Sequence, residues 1–105
     1  MKSDAPERTR ARVFRELLAN ARPLVSPGVF DPVSARVAES MGFTSIATSG
    51  AGLSNALLGQ PDIGLLGLHD NVDACRHIAR SVAIPVMADA DTGYGNAVTV
   101  FHAVQ

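Results

Sequence analysis

The residues best suited to chemistry lie together in Ala88-Asp89-Ala90-Asp91-Thr92-Gly93-Tyr94-Gly95-Asn96. They follow Ile84-Pro85-Val86-Met87, an apolar run that reads as a short buried strand ending at the aspartates. In a strand, residues two apart share a face, so Asp89 and Asp91 are expected to project together past the small Ala90. Two neighbouring carboxylates repel unless a cation or a shared proton compensates. Mg2+ takes one or two carboxylates, keeps several waters and leaves positions for substrate oxygens. Gly93 and Gly95 would let the backbone approach a ligand closely. The segment reads as a divalent-metal site at the mouth of an α/β barrel. The plainer alternative is a pair of solvated strand-end carboxylates or a helix cap.

Two other segments could join it. Asp62 follows Pro61 on a long connection after the second predicted strand. Loops at the C-terminal ends of barrel strands converge on one face, so Asp62 could reach the same ion directly or through water. A turn aspartate beside proline is the commoner explanation. Ser49-Gly50-Ala51-Gly52 could present several backbone N–H groups to an anion such as a substrate carboxylate. As a bare pattern it is equally a flexible turn. His69, His77 and His102 are scattered and show no metal-ligand spacing. Cys75 falls on the apolar face of a predicted helix, where an inert thiol is the simpler reading. Asp31 before Pro32 is best explained as a helix cap. Tyr94 either lines the pocket or packs.

These residues need elements to position them. Val13, Leu17 and Leu18 predict an amphipathic helix from about Glu7 to Asn20. Pro23 to Val29 reads as a first strand centred on Leu24 and Val25. A helix from Pro32 carries Val33, Val37 and Met41 on one face and stops at Gly42. Phe43 to Thr48 reads as a second strand. After the irregular connection, a helix from about His69 to Arg80 turns Val72, Cys75, Ile78 and Ala79 inward. Ile84 to Ala90 is the third strand. A last helix begins at Asn96 with Val98, Phe101 and Val104. Strand and helix alternate, which argues for parallel strands with crossover helices. A (β/α)8 barrel takes about 250 residues. The expected fold is therefore the N-terminal part of such a barrel over residues 8–105, truncated at the C-terminus, with residues 1–7 frayed. Three strands alone would leave sheet edges open.

Composition narrows the function. Of 105 residues, 47% are hydrophobic and 18% charged, which suits a globular domain rather than a disordered one. Nine basic and ten acidic residues leave a net charge of -1, so nothing suggests a nucleic-acid face or a polybasic membrane surface. No apolar run approaches a membrane span, and the N-terminus is too polar for a secretory signal. A lone cysteine excludes an internal disulfide, and a reducing, cytoplasmic compartment fits.

Four segments, in order, resemble the isocitrate lyase/phosphoenolpyruvate mutase superfamily: Gly28-Val29-Phe30-Asp31-Pro32-Val33-Ser34-Ala35, Thr48-Ser49-Gly50-Ala51-Gly52, Leu58-Gly59-Gln60-Pro61-Asp62-Ile63-Gly64 and Ala88 to Asn96. The similar branch holds methylisocitrate lyase-like, dimethylmalate lyase-like and carboxyvinyl-carboxyphosphonate phosphorylmutase-like proteins. The resemblance implies a (β/α)8 barrel, dependence on Mg2+ with Mn2+ as a possible substitute, and a homotetramer. It implies a small carboxylate substrate, cleaved or rearranged through an enolate or oxyanion. Asp89 would coordinate the ion, Asp91 and Asp62 would hold its waters, and Ser49, Gly50 and Ala51 would bind the substrate carboxylate. The expected activity is carbon–carbon lyase action on a methylisocitrate- or dimethylmalate-like acid. Oxaloacetate decarboxylation, phosphonate P–C chemistry and an inactive fragment are the alternatives. The family's Lys-Lys-Cys-Gly-His-type loop and a further acidic residue would lie beyond Gln105, and Cys75 does not match that loop. The catalytic proton donor is thus unassigned. Ala47 stands where methylisocitrate lyases often carry tyrosine, which argues against 2-methylisocitrate.

Overall fold

The computed structural model describes residues 9–20 and 22–104. The frayed segment expected over residues 1–7 lies outside them. Helix α1 spans Arg10–Ala19 and starts there because the extended Thr9 accepts the Arg12 backbone N–H on its hydroxyl. Val13 and Leu17 turn toward Phe43, Ile84 and Pro85, just ahead of two strands, whereas Leu18 is exposed. Arg10 Nη1 donates to the Ala79 carbonyl at 2.6 Å and ties α1 to the far helix.

Strands β1 (Gly28–Val29), β2 (Ile46–Thr48) and β3 (Val86–Met87) form one parallel sheet in the order β1-β2-β3. Gly28 pairs with Ala47 and Val29 with Thr48; Ile46 pairs with Val86 and Ala47 with Met87. Each strand is shorter than its sequence predicts. Pro27 and Pro85 accept ladder bonds from Ala47 and Ile46 through their carbonyls. Having no N–H to return, they mark where regular pairing begins. One sheet face carries Val29, Ile46 and Thr48, all buried. The opposite face carries Gly28, Ala47 and Met87, and Met87 is half open to solvent.

Helices α2 (Pro32–Ser40) and α4 (Leu68–Ser81) cover the first face. The core they enclose contains Val29, Ala35, Ala38, Ile46, Leu53, Leu66, Ile78 and Val82. The predicted stripe of α2 is not the buried one. Val33, Val37 and Met41 are 69%, 52% and 74% exposed, while Ala35 and Ala38 face the core. Small side chains let this helix lie close to the sheet, and the larger apolar side lines an open groove beside β1 with Phe30 and Phe43. The predicted stop at Gly42 holds, with φ at 94°. Between β2 and α4, the connection expected to be irregular is partly helical. A turn at Gly50–Leu53 (α3) widens into π-helical Ser54–Leu58 and ends at left-handed Gly59. Helix α5 spans Ala97–Ala103, and Asn96 Oδ1 accepts the Val98 and Thr99 N–H groups.

Two contacts yield tests. Glu39 of α2 reaches across to the α4–β3 turn, where Oε2 accepts the N–H of Ala83 at 2.7 Å and of Ile84 at 3.3 Å. Glu39→Ala is expected to cost about 1–3 kcal/mol by leaving the half-buried Ile84 N–H without its acceptor, measured by urea unfolding. Asp31 caps α2 as predicted: Oδ1 accepts the Ser34 N–H at 2.6 Å, and the Ser34 hydroxyl accepts the Asp31 N–H in return. The Ser34 backbone bond, then its side-chain bond, holds the Asp31 carboxyl below its ordinary 3.8. A lowered carboxylate stabilises the fold above its unfolded pKa, and the gain is lost as pH falls through the folded value. Melting temperature is expected to drop below about pH 4, the carboxylate range, and Asp31→Asn is expected to reduce that acid-dependent part.

Exposed apolar side chains are grouped rather than scattered. Val98 and Phe101 on α5 and Val104 just after it are 67%, 60% and 77% exposed, and the α2 stripe adds a second group. Apolar surface of this kind drives association. The 105-residue polypeptide on its own is expected to bind a hydrophobic dye and self-associate, with a broad melt. A sharp melt of a monomer that binds no dye would contradict this.

Candidate active site

The C-terminal ends of β2 and β3 lie side by side and carry the proposed chemistry. Chain direction and pairing place Ser49 just past Thr48 and Asp89 just past Ala88, on neighbouring strand ends. Asp89 is fixed through its backbone. Its N–H donates to Thr48 Oγ1 at 2.8 Å, and its carbonyl accepts from Asn71 Nδ2 at 2.8 Å. Its side chain is exposed. Oδ1 accepts the Asp91 N–H at 2.9 Å, and Oδ2 sits so close to Gly50 that a Cβ there would lie 2.7 Å from it.

Asp91 reaches Asp89 through its backbone N–H, and not along a strand. Strand β3 ends at Met87, and Asp91 has φ at 45°, so the two-residue alternation expected through Ala90 does not operate. A turn joins them instead, closed by Asp91 N–H on Asp89 Oδ1 and by Gly93 N–H on the Ala90 carbonyl at 2.8 Å. Aspartate tolerates the left-handed region better than most residues. Tyr94, at φ 66°, does not, and such a conformation costs about 1–3 kcal/mol.

The glycines around Tyr94 meet side chains of α5. A Cβ on Gly93 would come 2.4 Å from Val100 Cγ2, and Gly93 also has φ at 92°. One on Gly95 would come 2.9 Å from Thr99 Oγ1. Both glycines let the loop lie against α5.

Ser49 caps α3 by accepting the Gly52 N–H on Oγ at 3.0 Å. Gly50 and Ala51 are the first residues of that turn, and the first N–H groups of any helix lack partners inside it. Asp62 is exposed on its loop, and among the described residues no group of three or more His, Cys, Asp or Glu side chains converges as a metal cage. The structure thus brings the Asp91 N–H and Gly50 against the Asp89 carboxylate. His69, His77 and His102 are exposed, and the His102 ring packs edge-on against Phe101.

Below the aspartates lies a cleft of about 340 Å³ between α4, the Ala88–Ala90 segment and α5. Asn71, Cys75 and Tyr94 line it. Burial, and then the charge of Asp89, pushes the Cys75 thiol up, while a weak bond to Thr48 opposes this. Tyr94 is likewise pushed up by burial first, then by Asp91 and Asp89. Both groups are neutral at pH 7, which makes Cys75 a poor nucleophile. Its alkylation by iodoacetamide is expected to be slower than that of free cysteine at pH 7.5 and to accelerate on unfolding.

Thr48 and Asn71 were not singled out by sequence. One signal was available: Asn71, Cys75, Ile78 and Val82 recur at i, i+4, i+7 and i+11. An asparagine in an otherwise inward stripe has to find a partner.

The family model described as phosphoenolpyruvate phosphomutase matches residues 14–105. The chain belongs to this family. It is 42% identical over 95 residues to 2,3-dimethylmalate lyase of Eubacterium barkeri, a match covering 90% of this chain and 33% of that one. It is 41% identical over 98 residues to oxaloacetate decarboxylase of Rhodopseudomonas palustris strain BisB18, covering 93% and 34%. Among solved structures, phosphonopyruvate hydrolase in complex with oxalate and Mg2+ superposes with a TM-score of 0.84 at 38% identity, covering 91% of this chain and 34% of that one. The chain spans about one third of the length of the curated relatives it matches. Family membership agrees with the superfamily resemblance of the four sequence segments and with the sheet, whose three parallel strands and covering helices correspond to part of a (β/α)8-type barrel.

Proposed function

We propose that the protein is a Mg2+-dependent carbon–carbon lyase that cleaves a 2-hydroxy di- or tricarboxylate. One observation carries this reading: the Asp89 carboxylate rests against Gly50, so a metal ligand and a carboxylate-binding turn occupy one spot. The donor set suits the ion. Asp89 and Asp91 are exposed, hard, acceptor-only oxygen donors, and one Asp89 oxygen is left over from its bond to Asp91. Asp89 would hold Mg2+, or Mn2+ in its place, while Asp91 and Asp62 would hold its waters. Bound Mg2+ supplies positive charge that stabilises negative charge building on the substrate's α-oxygen. The turn at Ser49, Gly50 and Ala51 would orient the substrate carboxylate through backbone N–H groups. The half-buried, neutral Cys75 lies under the site, and burial makes it a poor nucleophile. The relative in Eubacterium barkeri supports a substituted malate as substrate.

Oxaloacetate decarboxylation is a second reading, favoured by the 41% identity to the decarboxylase of Rhodopseudomonas palustris. Product analysis on the natural gene product separates the two. Metal-dependent release of pyruvate and propionate from 2,3-dimethylmalate supports the lyase. CO2 release from oxaloacetate alone supports the decarboxylase. We further infer a cytoplasmic homotetramer, supported for the compartment by the free thiol and for the assembly by the family resemblance. Light scattering of the gene product checks the assembly.

A further inference from the structure

The buried groups beneath Asp89 carry a role of their own. Thr48 is 6% and Asn71 5% exposed, deeper than any other polar residue of the site. They come from different elements, the end of β2 and the first turns of α4, and both spend a side-chain hydrogen bond on the same residue. Thr48 takes the N–H that precedes the Asp89 Cα, and Asn71 holds the carbonyl that follows it. Fixing the peptide on each side of a Cα fixes the direction of its Cα–Cβ bond. The Asp91 N–H on Oδ1 then sets the rotation of the carboxylate. Cys75 Sγ lies 3.8 Å from both Thr48 Oγ1 and Asn71 Oδ1 and fills the space between them.

A strand end needs no such clamp to be stable. Leucine and valine at these two positions would continue the apolar faces of α4 and β2. Buried polar pairs are costly unless satisfied, and here both are satisfied by the backbone of one residue, whose carboxylate is exposed. We propose that Thr48 and Asn71 are positioning residues that hold the Asp89 carboxylate ready for a divalent cation before the cation arrives. This rests on the reading of Asp89 as a metal ligand. Groups that orient a ligand from behind typically change metal affinity when lost, although they never touch the ion.

The test measures Mn2+ binding to the natural gene product by electron paramagnetic resonance, with no turnover required. Thr48→Val keeps the shape and removes the acceptor, and Asn71→Leu removes the donor. Each is expected to weaken Mn2+ binding about tenfold, within the range known for such orienting partners. Thr48→Ser keeps the hydroxyl and is expected to bind as wild type does, which a simple packing role for Thr48 would not produce. Asp89→Asn tests the underlying reading: if it binds Mn2+ as tightly as wild type, Asp89 is not the ligand. If Asp89→Asn loses binding while Thr48→Val and Asn71→Leu keep it, the positioning role is overturned and the metal reading stands. Hydrogen exchange on the metal-free wild type decides the matter even where a variant fails to fold. Protection of the Asp89 amide without metal supports the clamp, and exchange as fast as that of Asp91 after denaturation overturns it.

Discussion

Asp89→Ala is expected to abolish metal-dependent turnover while leaving the fold almost unchanged. The two effects separate because Asp89 serves the structure through its backbone and the site through its side chain. The bonds to Thr48 and Asn71 use its N–H and carbonyl, which alanine retains. Only the bond from the Asp91 N–H is lost, an exposed contact worth about 1 kcal/mol. Loss of a preorganised charge at a developing oxyanion costs far more, on the order of 10³ in kcat or beyond. Thermal melts of variant and wild type should therefore nearly coincide. Chelation by EDTA should reproduce the variant's inactivity in the wild type. Added Mg2+ or Mn2+ should rescue the wild type and not the variant. Full turnover in the presence of the chelator would dispose of the metal reading.

The parts of this site that were legible in the sequence are those governed by local rules. Asp31 before Pro32 announces a cap, and Gly42 announces a helix end; both sit as the residues dictate. The period of α4 likewise fixes Ile78 as its most buried side chain. What local rules miss is decided by neighbours distant in the chain. Val33, Val37 and Met41 form a good helical stripe, yet two alanines win the core side because a sheet close by favours small residues. The strand alternation expected for Asp89 and Asp91 does not apply. Alternation needs an extended chain, and ladder pairing stops at Met87. The two glycines flanking Tyr94 lie against Val100 and Thr99, a contact made by the way α5 folds back and not visible in the segment itself. Asn71 is the most instructive case. A polar residue inside an apolar stripe signals an unmet partner, but its identity, the Asp89 carbonyl, depends on how α4 crosses β3.

Gly50→Val is expected to damage the site in two measurable ways at once. Glycine is not required here by backbone conformation, since Gly50 is absent from the residues with positive φ. It is required by space: the first added carbon would stand 2.7 Å from Asp89 Oδ2, closer than carbon and oxygen can approach. To swing aside, the carboxylate must give up the Asp91 N–H on Oδ1, while Thr48 and Asn71 keep the backbone from which it extends in place. Even Gly50→Ala should therefore displace Asp89 and weaken Mn2+ binding about tenfold, as misorienting a ligand does. Valine adds two methyl groups beside the N–H groups assigned to the substrate carboxylate. Its KM should rise by about 100-fold or more, the scale of a misplacement near 1 Å. Oxalate, a planar dicarboxylate, should compete with substrate in the wild type and lose most of that ability in the valine variant. The alanine variant separates the two contributions, since it perturbs the metal ligand and adds little bulk toward the substrate. Wild-type KM, oxalate inhibition and Mn2+ affinity in Gly50→Val would show that the turn and the carboxylate do not form one site.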